Sequence, residues 1–189
     1  ATPTECYDFL YWDTGDATTA SNLYCFTVGE DATLTAVFAK KQFTVTVEAS
    51  PTEGATELSG AGTYYCGDTA CVEATPTECY DFLYWDTGDA TTASNLYCFT
   101  VGEDATLTAV FAKKQFTVTV EASPTEGATE LSGAGTYYCG DTACVEATPT
   151  ECYDFLYWDT GDATTASNLY CFTVGEDATL TAVFAKKQF

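Results

Sequence analysis

The sequence predicts an all-β protein: tandem small β-domains of about six short strands each, sandwich or grasp-like, following one another as an elongated rod. Three observations lead there. Residues 1–73 recur letter for letter at 74–146, and 147–189 repeat 1–43; this period exceeds the ~20–50 residues of a solenoid repeat and suits a small, marginal domain. Apolar and polar residues alternate along short segments rich in Thr, Val and aromatics, the pattern of half-buried strands. Nowhere does the 3.6-residue apolar period of an amphipathic helix persist.

The middle copy sets out the elements in order. Phe43, Val45 and Val47 alternate with Thr44, Thr46 and Glu48, predicting a strand. Pro51, Gly54, Gly60 and Gly62 then punctuate a turn-rich stretch leading to a short strand over 62–65. Gly67-Asp68 makes a tight turn into 70–75, where Ala70, Val72 and Ala74 share one face and Pro76 ends the strand. Tyr80, Phe82 and Tyr84 alternate inward before a polar loop over 86–95. Tyr97, Phe99 and Val101 form the next strand, Gly102-Glu103-Asp104 turns the chain, and Leu107, Ala109 and Phe111 close the unit.

The segments FTVTVEASPTEG, GTYYCGDTACVEATPTECYDFLYW and YCFTVGEDATLTAVF, taken together, resemble the divergent internalin-type B-repeat of bacterial surface proteins. The resemblance spans 43–111 and 116–184, with a C-terminal half unit at 1–38. It implies a non-catalytic β repeat at the cell surface. The departures are cysteines: Cys79 replaces the expected Gly before Tyr80, and Cys66, Cys71 and Cys98 stand where polar residues are usual.

Units are accordingly expected at 42–114 and 115–187, with 1–41 the C-terminal part of a repeat and 188–189 the start of the next, as in a window on a longer array. Between full units lies Ala112-Lys113-Lys114-Gln115, too short to pivot freely. The inward set changes parity across it, from Leu107, Ala109 and Phe111 to Phe116, Val118 and Val120, so consecutive units should be rotated and the rod twisted.

A formal charge of -22, from 28 acids against six lysines, disfavours nucleic acid and anionic membranes as partners. The hydrophobic content of 46% argues against disorder. No apolar run reaches membrane-spanning length. Each full period holds four cysteines, without His or CxxC pairs, which favours disulfides in an oxidising, extracellular setting over zinc. The candidates are Cys6, Cys25, Cys66, Cys71, Cys79, Cys98, Cys139, Cys144, Cys152 and Cys171. Four cysteines allow three connectivities. The expected pairing is Cys66–Cys71 across a hairpin and Cys79–Cys98 around the polar loop, with Cys6–Cys25 as the equivalent of the latter. Bridges between units or chains are the rival.

Asp81, Asp86 and Asp89 lie near the aromatics, but identical active sites in every copy of a small stapled bead are not expected, and no cofactor is. Asp86-Thr87-Gly88-Asp89 offers a Ca²⁺ candidate through Asp86 and Asp89, although it is ordinary turn chemistry as well. Trp12, Trp85 and Trp158 are candidates for a ligand or assembly surface; burial of Trp85 separates a structural role from a glycan-binding one. The sequence therefore points to a secreted, self-associating stalk or filament, with a cell-surface adhesin binding glycans or host protein as the alternative.

Overall fold

The computed structural model describes every residue except Asp162 and Phe189; the latter belongs to the expected start of a further unit, which in that part lies outside the described residues. Strands β1–β3 (Tyr7–Asp13, Thr18–Thr19, Thr35–Lys40) belong to the first, partial repeat. The middle repeat contributes β4–β11: Gln42–Ser50, Ala55–Ser59, Gly62–Tyr65, Thr69–Pro76, Tyr80–Asp86, Thr91–Thr92, Leu96–Thr100 and Ala105–Lys113. The third contributes β12–β19: Gln115–Ser123, Ala128–Ser132, Gly135–Tyr138, Thr142–Pro149, Tyr153–Asp159, Thr164–Thr165, Leu169–Thr173 and Ala178–Lys186. The chain forms two compact units, one of residues 1–76 and 82–111, the other of 77–81 and 112–189.

The architecture is all-β, and each full repeat makes two sheets. In the third repeat the larger runs β14-β12-β19-β16-β17 and the smaller β13-β15-β18. The first and last long strands of the repeat, β12 and β19, pair in parallel, with Val118 opposite Ala178 and Ser123 opposite Val183; the remaining pairs are antiparallel. The larger sheet ends in a four-residue and a two-residue strand, edges too short to invite further pairing. Both sheets feed one core: Val118, Trp158, Leu180, Ala182 and Phe184 from one, Ala143, Val145 and Ala147 from the other, with Val174 beside them. That is a sandwich, its inner faces supplied by every second residue.

Ala70, Val72 and Ala74 share the core face, as expected, and all are fully buried. Two elements differ from expectation. The turn-rich stretch hides β5, which pairs with β7 through Leu58 opposite Ala74. In addition, Tyr84 and its equivalents do not take the inward position; the tryptophans do. In β16 the pairing with β19 passes from Phe155 opposite Phe184 to Tyr157 opposite Val183, leaving Leu156 as a bulge. The bulge absorbs one residue, so Phe155 and Trp158, three apart, face the same core as Phe184 and Ala182, two apart.

Glycines fix two close approaches. A Cβ on Gly127 would stand 2.8 Å from Phe184 side-chain carbons, and Gly133 adopts φ +90° with the Cys144 carbonyl in the way of any side chain.

Candidate functional site: cysteine bridges and the lysine joints

The joint between repeats is a single residue. Strand β3 ends at Lys40 and β4 starts at Gln42; β11 ends at Lys113 and β12 starts at Gln115. Lys41 and Lys114 are thus the single residues between the last strand of one repeat and the first strand of the next, and the backbone of each is gripped by two cysteines. Lys41 N–H donates to the Cys6 carbonyl at 2.9 Å, and its own carbonyl accepts from Cys66 N–H at 2.9 Å. Cys6 and Cys66 are disulfide-bonded, their Cα atoms 5.4 Å apart, within the usual range for a bridge. The arrangement recurs at Lys114, which donates to Cys79 and accepts from Cys139, with Cys79–Cys139 bonded at the same 5.4 Å Cα separation.

Side chains add to each grip. Lys114 Nζ donates to the Glu78 carbonyl at 2.9 Å and stands 3.7 Å from Asp81. Lys40 pairs with Asp68 at 3.3 Å, and Asp68 Oδ2 accepts the Tyr65 N–H, closing the turn that carries Cys66. These lysines and acids are at least a third exposed, so solvent screening leaves the ion pairs worth little beside the covalent bridge.

The second class of bridge lies inside a repeat. Cys71 and Cys98 sit directly opposite on β7 and β10, and Cys144 and Cys171 on β15 and β18. The expected pairs Cys66–Cys71, Cys79–Cys98 and Cys6–Cys25 are therefore corrected. Alternation explains the difference: Cys71 lies between inward Ala70 and Val72, and Cys98 between inward-leaning Tyr97 and Phe99, so both face outward on adjacent strands. Cys66 instead sits buried at the end of β6, beside the joint. The outward parity of Cys71 and Cys98 was available in the sequence; the pairing of β7 with β10 was not.

Cys25 and Cys152 are free and exposed. Cys152 already has half of the joint geometry, its carbonyl accepting from Lys187 N–H at 2.8 Å, while Lys187 Nζ donates to Glu151 O at 3.0 Å. Next to it, the Tyr153 hydroxyl donates to Glu126 at 3.3 Å; burial, then that carboxylate, raises its pKa.

Trp85 and Trp158 are fully buried, and their Nε1 atoms donate to the carbonyls of Asn95 and Asn168 at 3.1 Å. They offer no shelf to a ligand, which corrects their place among surface candidates; Trp12 is half-buried. The Asp86 carboxylate accepts from Gly88 N–H at 2.9 Å, an Asx turn, and Thr87 closes the same loop onto Ala90. Asp89 lines an open cleft with Glu103 and Asp104, where Asp104 accepts the Thr44 N–H at 2.7 Å. Asp81 faces Lys114 rather than a second acid.

Repeated small sandwiches, stapled within and across repeats, define a class: tandem-repeat domains of an oxidising, extracellular surface. The chain belongs to the divergent InlB B-repeat domain family, whose model matches residues 1–42, 44–115 and 117–188. These are non-catalytic bacterial surface repeats. A search of curated proteins gave no match.

Proposed function

We propose that the chain is part of an extracellular stalk or filament, a structural protein whose length comes from copy number. The observation that carries this is the joint. Each repeat passes to the next through one lysine, and a disulfide spans that lysine on both occasions, Cys6–Cys66 and Cys79–Cys139. An adhesive or catalytic bead gains nothing from covalent closure at its linker, whereas a load-bearing string does. The acidic surface favours solubility and like-charge separation in a crowded envelope. Repeat identity also gives every copy the same lateral surface, which suits self-association into a fibre with equivalent environments.

Electron microscopy of the native material and of recombinant arrays with increasing copy number tests this proposal. Slender particles of constant width whose length grows in proportion to copy number are expected, and sedimentation across a concentration series reads lateral assembly. Compact particles whose diameter grows only slowly with copy number would remove the stalk.

A further inference from the structure

The bridges follow a pattern along the chain that no single bridge reveals. Cys6–Cys66 and Cys79–Cys139 each span 60 residues of the 73-residue period, leaving only the 13 residues from Cys66 to Cys79 outside them. Cys71–Cys98, spanning 27, starts inside that short segment and ends within the next long loop, so it interlocks with Cys79–Cys139. Tension takes the shortest covalent route, and here that route leaves the backbone at each joint and crosses by sulfur.

We propose that the disulfides form a covalent load path that carries tension past 60 of every 73 residues, making a strand of these repeats resistant to extension even after its sheets give way. At ~3.6 Å per extended residue a period can reach only ~47 Å through its 13 exposed residues, against ~260 Å for an unbridged period. The interlocked bridge is a second lock. With Cys79–Cys139 cut, the path runs from Cys66 to Cys71, across to Cys98 and on to Cys139, so about 33 residues are released, not 60. The purpose assigned to this path rests on the stalk proposal; the path itself does not, because it is measured on the chain alone.

The test is single-molecule stretching of the full chain, tethered by its termini in a Cys25→Ser, Cys152→Ser background that prevents thiol exchange. Oxidised, the chain should extend through residues 1–6, 66–79, 139–144 and 171–189 only, about 40 residues or ~150 Å at full extension. Added thiol reductant should lengthen it to ~680 Å. Adding Cys79→Ser and Cys139→Ser should lengthen the oxidised chain by ~120 Å. An oxidised length of ~480 Å or more overturns the load path, since ~480 Å is what Cys71–Cys98 and Cys144–Cys171 alone would leave and ~570 Å what Cys66–Cys71, Cys79–Cys98 and Cys139–Cys144 would leave. A gain of ~220 Å in the double-serine variant overturns the second lock. Each length is read at forces that unfold the sandwiches completely, where contour length counts covalent links alone. Loss of the stalk by microscopy would leave these lengths unchanged.

Discussion

At the scale of single residues, Trp158 shows how one inserted residue reassigns a core position. Without the bulge at Leu156, alternation from Phe155 would send Tyr157 inward and leave the indole outside. With it, the indole is fully buried and its N–H is satisfied by Asn168. Trp158→Ala should cost about 3–5 kcal/mol in denaturant unfolding, the range for losing a large buried aromatic. In single-tryptophan variants, acrylamide should quench Trp12 strongly and Trp85 or Trp158 weakly; equal quenching would contradict their burial. Gly133→Ala meets both a positive φ and the Cys144 carbonyl, so it should destabilise by more than about 1 kcal/mol, a loss measurable by the same unfolding assay.

At the scale of elements, identical segments behave differently. LYCFT is strand β10 at Leu96–Thr100, where it pairs with Thr69–Glu73, and β18 at Leu169–Thr173. The same letters at 23–27 form no strand, and Leu23 is 73% exposed. Val28 is 76% exposed, while its equivalents Val101 and Val174 are 0% and 1% exposed. Propensity is equal in all three places, so the partner strand decides. Amide hydrogen exchange on this chain should therefore be fast over 24–28 and strongly protected over 97–101. Comparable protection in both would mean that the segment orders by itself.

At the scale of the whole molecule, covalent topology dominates. In the chain-entropy model a 60-residue loop contributes about 4 kcal/mol and a 27-residue loop about 3.5 kcal/mol, large shares for small sandwiches. Trypsin distinguishes connectivities without a pulling instrument. Its sites are confined to the lysine pairs 40–41, 113–114 and 186–187, so cleavage of the denatured, oxidised chain separates one repeat from the next. With Cys6–Cys66 and Cys79–Cys139 in place the three large fragments remain one covalent species until reductant is added. Three separate fragments on a non-reducing gel would refute the joint bridges.

Strand alternation, the repeat and its family resemblance, the core faces of β7 and β11, and the choice of disulfides over zinc were legible because each depends on residues near one another in sequence. Strand β5 was hidden because Gly and Pro flank a segment whose one large apolar residue is Leu58. The cysteine pairs were open because pairing depends on which strands become neighbours and what lies at their ends. The parallel partnership of β4 with β11 joins segments some 60 residues apart and leaves no local mark. The contrast between Leu23–Val28 and Leu96–Val101 states the division most directly. Which residues can form a strand, and which side of it is apolar, follows from the local order of residues. Whether that strand formed, whether tyrosine or tryptophan reached the core and which sulfurs met followed from the folded chain, because hydrogen-bond partners, burial and bridge geometry are supplied by segments distant along the chain.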